Sequence, residues 1–355
     1  MKRLISLCAM FAMFALMYAQ NIRNFTPGQI WKDTKGVHIN AHGGGMLLHK
    51  NTYYWFGEHK VEGGIGNTAQ VGVHCYSSKD LYNWVDEGIA LQVSDDSISD
   101  IQRGCILERP KVIYNSRTKK FVMWFHLELK GKGYTSARAG IAVADKVTGP
   151  YTFVCSTRAT PGSYPVNVKE LSTDTKKLFV RDLNGGQMVR DQQLFVDDDG
   201  KAYHIFASED NSTLHIAELT DTYLGYTGKY VRVFENRYME APAIFKKDGL
   251  YYFVGSGCTG WAPNAARSAA APSIWGPWVE LGNPCVGEGA DKTFQSQSTY
   301  ILPVQGMKNA FIYMGDRWTP SNPIDGRYVW LPIQFEENKF EIEWQDEWNL
   351  DFFRR

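Results

Sequence analysis

The 355-residue sequence has no excess of either charge, because its 38 lysine and arginine residues equal its 38 aspartate and glutamate residues. Nucleic acids and anionic membrane surfaces attract proteins that carry a basic excess. We therefore expect neither a nucleic acid nor a membrane as the partner. A chain that is neutral and contains 11 Trp, 19 Tyr and 19 Phe suits a neutral ligand such as a carbohydrate.

Cysteine is also scarce. Beyond the N-terminal segment the chain has five, at Cys75, Cys105, Cys155, Cys258 and Cys285. An odd number with wide gaps is neither a disulfide framework nor a set with metal-ligand spacing. We expect mostly buried, reduced thiols and no metal site built from cysteine.

Several sequence motifs of other enzyme classes are missing. There is no G-x-S-x-G or H-E-x-x-H, which argues against an α/β-hydrolase and a zinc protease. The segment VDDDG (residues 196–200) lacks the spacing and the distal glutamate of an EF-hand calcium loop. Amphipathic helical stretches are hard to find after residue 20, and no Pro/Ser-rich linker divides the chain.

The N-terminus has the pattern of a secretory signal peptide. Lys2 and Arg3 precede an apolar stretch at residues 4–17, and the small Ala19 follows. This stretch is too short to span a bilayer stably. We therefore predict that residues 1–19 are a signal peptide, and that the mature protein works outside the cytoplasm, in the periplasm or secreted.

The rest of the chain repeats one pattern five times. Each repeat has an apolar strand, a polar turn and a strand rich in aromatic residues, which is typical of β-hairpins. The aromatic strands are TYYWFGE (52–58), KFVMWFH (120–126), KAYHIFA (201–207), LYYFVGS (250–256) and NAFIYMG (309–315). Five such units predict an all-β fold, a five-bladed β-propeller formed as a single domain by residues 20–355.

The repeats predict where a functional site lies. In a propeller the first strand of each blade lines the central axis. Counting back 12 or 14 residues from the third residue of each aromatic strand reaches His42, Glu108, Asp191, Glu240 and Gln297. All five are polar, so we expect them to face one central pocket. Carboxylates crowded around a pocket suit glycoside hydrolysis, which needs a protonated acid and a second group that activates water or attacks the sugar.

Two segments of the third and fourth repeats carry a family resemblance. RDQQLFVDDDGKAYHIF and YMEAPAIFKKDGLYYFVGSG resemble the blade motifs of glycoside hydrolase family 43, whose members are five-bladed propellers that hydrolyse with inversion. HINAHGGG, GEHK, ILERPKVIYN and SQSTYILPV are similar to the exo-β-1,3-galactanase branch of that family. The resemblance covers the chain from about residue 30 onwards. It implies release of galactose from β-1,3-galactan, the backbone of arabinogalactan.

The resemblance also implies roles for individual residues. Glu240 matches the general acid, and Asp191 matches the carboxylate that tunes the pKa of the acid and orients it. The aspartate that usually serves as base is absent, because His42 stands in its place. In this branch a glutamine that corresponds to Gln297 positions or activates water. Since an amide has little affinity for a proton, the identity of the base stays open among Gln297 and relays through Glu108, Glu58 or His42.

Other residues are candidates for binding the sugar. The set comprises Glu58, Glu108, Tyr134, Thr259, Gly260, Trp261, Trp318 and His42. For Glu58 the alternative is an ion pair with Lys60 or Arg109, and for the aromatic residues it is packing between blades. Some propellers of this family hold an axial calcium ion near a histidine, here His42, but one histidine does not specify a metal. We predict no cofactor, and a monomer.

Three functions remain open from the sequence. The first is an exo-acting, inverting β-1,3-galactosidase that acts on galactan. The second keeps the same fold and chemistry with another sugar, as in an α-L-arabinofuranosidase or a β-xylosidase. The third is a non-catalytic, sugar-binding propeller, which the missing aspartate makes plausible.

Overall fold

The computed structural model describes residues 22–63, 66–168 and 173–354. The predicted signal peptide, residues 1–19, lies outside the described residues. Strands dominate the described part, and their aromatic and β-branched residues favour this conformation. Within that part α-helix is confined to α1 (Thr173–Leu183), which precedes the third blade. None of the described helices has the length and apolar character needed to cross a membrane.

Four blades are four-stranded antiparallel sheets in which each strand pairs with the next along the chain. The first blade contains β1 (His42–His49), β2 (Thr52–His59), β3 (Gly72–Ser78) and β4 (Val85–Gln92). The second contains β5 (Ile106–Asn115), β6 (Lys120–Glu128), β7 (Arg138–Ala144) and β8 (Thr152–Thr157). The third contains β9 (Gln192–Val196), β10 (Ala202–Ser208), β11 (Thr213–Leu219) and β12 (Tyr226–Val233). The fourth contains β13 (Met239–Lys247), β14 (Leu250–Gly257), β15 (Arg267–Ala271) and β16 (Val279–Gly282).

The fifth blade has an additional strand. It contains β17 (Cys285–Val286), β18 (Gln297–Pro303), β19 (Phe311–Arg317), β20 (Arg327–Glu336) and β21 (Lys339–Glu343). The short β17 pairs in parallel with β21, whereas the other strands of the blade are antiparallel. Three 3-10 helices, Ala290–Gln295, Pro323–Asp325 and Leu350–Arg354, flank these strands.

The five blades close into a ring. Each innermost strand, β1, β5, β9, β13 and β18, contacts the innermost strands on both sides, and β18 returns to β1. The N-terminal segment bonds to the C-terminal end, because the backbones of Phe25 and Trp348 exchange hydrogen bonds of 2.7 and 3.1 Å. The predicted five-bladed β-propeller is confirmed.

The hydrophobic core is divided among the interfaces between blades. Each of five buried clusters in the described residues joins two neighbouring blades, and together they cover all five interfaces. The cluster between the fifth and first blades includes Trp55, Trp84 and Trp330, all at most 1% exposed. Burial of aromatic surface on both faces of every sheet holds the blades around the axis.

A backbone irregularity recurs where the inner strands open. The pairing shifts register after His42, after Glu108 and after Glu240. The residue that follows each of them, Gly43, Arg109 or Ala241, has a left-handed backbone with φ between 52° and 58°. Such a bulge locally increases the twist and redirects side chains. The bulges therefore determine which side chains face the mouth of the propeller.

Candidate active site

A pocket of about 440 Å³ lies at the mouth where the inner strands begin. Its size is within the range of small-ligand pockets, roughly 300–1,000 Å³. Its lining combines carboxylates, cations, amides and tryptophans. The lining residues are Glu58, Asn67, Glu108, Arg109, His126, Tyr134, Arg190, Asp191, Asn211, Glu240, Gly260, Trp261, Gln297 and Trp318. We call it the carboxylate pocket.

Four of the five polar residues predicted to converge lie in this pocket. Glu108 is the third residue of β5, Glu240 the second of β13 and Gln297 the first of β18, while Asp191 directly precedes β9. The predicted position of the fifth, His42, is wrong. Its side chain is fully buried and stacks on Trp318, with ring centroids 5.2 Å apart. Trp318 lines the pocket, and the buried imidazole lies against it.

Glu240 has the protonation behaviour of a general acid. Burial, and then the neighbouring charge of Asp191, raise the pKa of Glu240 to about 7. The Nδ2 of Asn211 donates a 2.8 Å hydrogen bond to its Oε1, and the thiol of Cys258 also hydrogen-bonds the carboxyl group. A carboxyl group with this pKa retains a proton in a large fraction of molecules near neutral pH.

Asp191 bonds to the backbone of the residue after Glu240 and to a buried arginine. Its Oδ2 accepts a 3.0 Å hydrogen bond from the backbone N–H of Ala241, the residue after Glu240. The same oxygen pairs with Nε of Arg109 at 2.9 Å. The guanidinium of Arg109 also donates to the backbone oxygen of Ser298 at 3.0 Å and to the amide oxygen of Gln297. Arg109 thus connects the carboxylate beside the acid with the predicted water-positioning glutamine.

Glu108 belongs to a buried chain of ionisable groups. Its Oε2 lies 2.9 Å from Nδ1 of His126, whose Nε2 lies 2.9 Å from Glu128. Tyr134 donates a 2.8 Å hydrogen bond to the other oxygen of Glu108. Burial alone would raise the pKa of Glu108, but the hydrogen bond and positive charge of His126 lower it to about 2. Burial opposes protonation of His126, yet its two carboxylate partners raise its pKa to about 9. Glu108 is therefore ionised at neutral pH.

Glu58 makes the ion pair that the sequence left as an alternative, and it lines the pocket as well. Its Oε2 lies 2.7 Å from Nζ of Lys60, and both side chains are at most 6% exposed. Its Oε1 accepts a 2.8 Å hydrogen bond from the backbone N–H of Arg109. Burial raises the pKa of Glu58. Gly43 lies directly against this carboxylate, since a Cβ there would be 2.3 Å from Oε1.

Gln297 is held by both ends of its amide. The oxygen accepts a hydrogen bond from Arg109, and Nε2 donates a 2.8 Å hydrogen bond to Oγ of Ser256. A cation bonded to the amide oxygen lowers its already weak affinity for a proton. One lone pair of the oxygen and one N–H remain for a ligand. This geometry suits the orientation of a water molecule better than removal of its proton.

The remaining predicted binding residues divide into two groups. Tyr134, Gly260, Trp261 and Trp318 line the pocket, and Trp261 and Trp318 meet edge to face at 5.9 Å. Trp261 is 49% exposed, so its ring offers a face to a sugar. Thr259 does not line the pocket. Its hydroxyl donates to the backbone oxygen of Ala262 and accepts a 2.7 Å hydrogen bond from Asn264.

The surroundings of His42 do not fit a calcium ion. Neither ring nitrogen has a hydrogen-bond partner among the described residues, and Gly326 packs directly on the ring. Burial, and then the charge of Lys60, lower the pKa of His42 well below its usual value. Calcium needs six to eight oxygen ligands, whereas the neighbours of this imidazole are the Trp318 ring and a cation. Possible ligand atoms of Glu108, His126 and Asp191 lie within 4.8 Å of one another, but both ring nitrogens of His126 are paired with carboxylates and its pKa is raised to about 9, so this imidazole is protonated at neutral pH and does not offer a lone pair to a metal.

Sequence reasoning missed several residues of the site. Arg190 and Asn211 come from loops, whose composition has no periodic pattern. His126 and Ser256 pair in register with Glu108 and Glu240 on the neighbouring strand. Asp316 pairs in the same way with Gln297. The position opposite each strand-opening residue is thus a signal that would have found these three side chains.

A larger cavity, about 530 Å³, lies between the N-terminal segment and the loop at residues 81–84. Its lining contains one acidic residue, Asp33. The Oδ1 atom of Asp33 accepts hydrogen bonds of 2.8 Å from the backbones of Lys35 and Val37. This cavity has no pair of acids, so it lacks the chemistry of the carboxylate pocket.

Comparison with solved structures gives close matches over nearly the whole chain. A family 43 β-1,3-galactosidase solved with galactodeoxynojirimycin is 53% identical, with 92% of this chain and 100% of that chain covered and a TM-score of 0.88. The exo-β-1,3-galactanase of Clostridium thermocellum is 37% identical over 91% of this chain and 66% of that chain, with a TM-score of 0.79. That of Phanerochaete chrysosporium, a variant solved with β-1,3-galactotriose, is 32% identical over 92% of this chain and 68% of that chain, with a TM-score of 0.78.

Sequence comparisons identify the same family. A β-D-galactofuranosidase of Aspergillus niger is 30% identical over 124 residues, which are 32% of this chain and 36% of that protein. The chain therefore matches only about a third of the length of this relative. The family model of glycosyl hydrolases family 43 matches residues 45–300. The five-bladed fold, the carboxylate pocket and this match together show that the chain belongs to glycosyl hydrolases family 43.

Proposed function

We propose that the protein releases the terminal galactose from β-1,3-linked galactan, as an exo-acting hydrolase that inverts the anomeric carbon. The observation that carries the proposal is the pairing of Glu240 with Asp191 in the carboxylate pocket. The two residues are joined through the Ala241 backbone, and the pKa of Glu240 is raised to about 7. The galactosidase and galactanases with matching folds supply the sugar.

Glu240 would protonate the glycosidic oxygen as the bond to the departing sugar breaks. Its raised pKa keeps the proton available, and the amide of Asn211 fixes the carboxyl group. Asp191 contributes in two ways. Its negative charge raises the pKa of the acid, and its hydrogen bond to Ala241 holds the backbone that carries Glu240. General acid catalysis of this kind contributes about 10²–10⁴-fold to the rate.

The ionised groups of the pocket would stabilise the positive charge that develops on the sugar ring. Glu108 stays ionised because His126 carries its own positive charge at neutral pH. A carboxylate aimed at an oxocarbenium-like transition state lowers its free energy most when water is excluded. Gln297, held between Arg109 and Ser256, would orient the water that attacks the anomeric carbon.

The tryptophan walls suit a galactoside. Trp261 and Trp318 both line the pocket and contact each other edge to face, and the C–H groups of a sugar pack well against an aromatic face. The other activities left open by the sequence, on arabinofuranosides and xylosides, are not favoured by the matching structures, several of which are β-1,3-galactanases or galactosidases. We also propose that the enzyme works outside the cytoplasm, which rests on the pattern of residues 1–19.

The proposal can be tested by measuring sugar release from three substrates. We expect galactose from β-1,3-galactobiose, and little arabinose or xylose from the corresponding aryl glycosides. Glu240→Gln should lower the rate of galactose release by about 10²–10⁴-fold, and Glu235→Gln, a change at a partly exposed glutamate paired with Arg232, serves as the matched control. Release of arabinose or xylose in preference to galactose would contradict the proposed substrate. Sugar binding without hydrolysis by the wild-type protein would contradict catalysis and favour the non-catalytic propeller.

A further inference from the structure

A second cavity, about 320 Å³, adjoins the carboxylate pocket. The two cavities share four lining residues, Gly260, Trp261, Gln297 and Trp318. A ligand in one cavity is therefore next to a ligand in the other. Beyond the shared residues the second cavity is lined by two arginines, Arg317 and Arg327, by two aspartates, Asp316 and Asp325, and by polar groups that include Asn264 and Thr319. We call it the arginine pocket.

Arg317 has no carboxylate within ion-pair distance among the residues that the structure describes. Its Nε and Nη2 both donate to the backbone oxygen of Phe294, at 3.1 and 2.9 Å. Its Nη1 lies against Gly28, where a Cβ would be only 2.4 Å away. A glycine at this position leaves room for the guanidinium at the edge of the cavity.

The two arginines of the cavity differ in their counterions, because Arg327 is paired with a carboxylate and, within the described part of the chain, Arg317 is not. Arg327 is its neighbour, and burial together with repulsion from Arg327 lowers the pKa of Arg317. Asp325 contacts Arg327 at 3.3 Å and neutralises one of the two cations. Asp316 lies deeper, where its Oδ2 accepts a 2.6 Å hydrogen bond from the backbone of Gly43. Among the described residues Asp316 forms no ion pair with Arg317, so Arg317 is the cation of the cavity that lacks a direct counterion, and burial raises the pKa of Asp316 to about 7.

A purely structural role explains some of these contacts. Arg317 fastens the Ala290–Gln295 helix through Phe294, and its guanidinium lies 5.1 Å from the ring of Trp344. This role does not require a second arginine beside it, since two like charges at short range repel each other. It also does not explain why both guanidinium groups line a cavity that opens onto the catalytic residues. An anionic ligand would account for both features.

We propose that the arginine pocket binds the carboxylate of a uronic acid that branches from the galactan substrate. The inference rests on the proposed function, because the branch is carried by a chain whose terminal galactose occupies the carboxylate pocket. Nε and Nη2 of the two arginines already donate to Phe294 and Asp325, and the remaining N–H groups of both guanidiniums can donate charge-assisted hydrogen bonds to a carboxylate. The shared rings of Trp261 and Trp318 provide apolar surface for the sugar ring that bears the carboxylate.

The test compares three substrates on the wild-type enzyme. They are β-1,3-galactobiose without a branch, the same disaccharide with a glucuronic acid branch, and the same disaccharide with a glucose branch at the same position. Glucose has the same ring without the carboxylate. We expect kcat/KM for the uronic acid substrate to exceed that for the glucose substrate at least tenfold. The difference should shrink at high salt, because screening weakens charge pairing.

Two variants locate the effect. Arg317→Gln should lower the ratio of kcat/KM for the uronic acid substrate to that for the unbranched one about tenfold, and Arg327→Gln should lower it in the same direction. Arg117→Gln changes an arginine that is 73% exposed on another blade, and it should leave the ratio unchanged. If Arg317→Gln does not fold, the wild-type comparison and Arg327→Gln decide the matter.

Each outcome has one meaning. Galactose release from the unbranched disaccharide, with equal rates for the two branched substrates, overturns this inference and leaves the proposed function intact. A preference for the uronic acid that survives in both arginine variants also overturns it. No galactose from any of the three substrates overturns the proposed function, and this inference with it.

Discussion

Replacing Asp191 with asparagine should move the pH profile of the enzyme and not merely reduce its rate. Glu240 must be protonated to act, so activity is lost as the pH rises through its pKa, which lies at about 7. Asp191 is the second cause of that raised value, after burial. Removing its charge lowers the pKa of Glu240, and Arg109, which then has no carboxylate at its Nε, adds to the decrease.

The size of this shift follows from the charges. A charge within about 4–6 Å of a carboxyl group shifts its pKa by roughly one to three units. The side chain of Asp191 is 18% exposed, so solvent screens part of this, and we expect a decrease of about one to two units. At pH 7 the protonated fraction of Glu240 would then fall from about one half to between roughly a tenth and a hundredth.

The assay is kcat/KM for β-1,3-galactobiose between pH 4 and 9, because this parameter reports pKa values of the free enzyme. The smaller protonated fraction of Glu240 should by itself lower kcat/KM of Asp191→Asn about 5- to 50-fold at pH 7, and about twofold or less at pH 5. Asp221→Asn makes the same chemical change at a side chain that is 82% exposed and should leave the alkaline limb in place. An alkaline limb at the same pH in Asp191→Asn and wild type would refute the proposed coupling.

Three further predictions concern the catalytic glutamate, the glutamine and the thiols. Glu240→Gln should lower kcat by about 10²–10⁴-fold and remove the alkaline limb, and a retained limb near pH 7 would assign it to another group. Gln297→Ala should lower kcat, because it removes the amide that Arg109 and Ser256 hold beside the attacking water. Gln297→Glu should have a higher kcat than Gln297→Ala. A wild-type kcat in both variants would show that Gln297 takes no part in the mechanism. When the thiols of the native protein are titrated, Cys155 should react first, because it is the exposed one of the five free cysteines described and buried thiols are inert. Faster reaction at the buried Cys75 or Cys105 would contradict the structure.

The fold could be predicted because its signal is repeated. Each aromatic strand, such as Lys120–Glu128, follows a polar turn and pairs with the strand before it. Five copies of this local pattern specify the number of blades.

The sequence also predicts mostly buried, reduced thiols. Cys75, Cys105 and Cys285 are buried, and all five described cysteines are free.

The site could be predicted only where it follows the strands. Glu108, Glu240 and Gln297 belong to inner strands, and their common register brings them together. His42 occupies the equivalent position of its strand, but its side chain does not reach the pocket because Trp318 and Gly326 of the fifth blade pack on its ring. Contacts between residues nearly 300 positions apart leave no local pattern in the sequence.

The loops account for the other omissions. Asn211 lies between β10 and β11 with a left-handed backbone, φ 66°, and only the folded turn directs its amide to Glu240. Arg190 donates a 2.9 Å hydrogen bond to the backbone of Tyr134, from a neighbouring blade. Polar loop residues of this kind are common on surfaces, so composition alone does not mark them as part of a site.

The central claim is that Glu240, Asp191 and Gln297 act together on one terminal galactose with inversion. It is tested most directly by proton NMR of the galactose released during the first minutes of hydrolysis of the methyl β-glycoside of β-1,3-galactobiose, in which the second galactose has a blocked anomeric carbon. Our account predicts that the α-anomer appears first and that the β-anomer grows in by mutarotation. Appearance of the β-anomer first would contradict it.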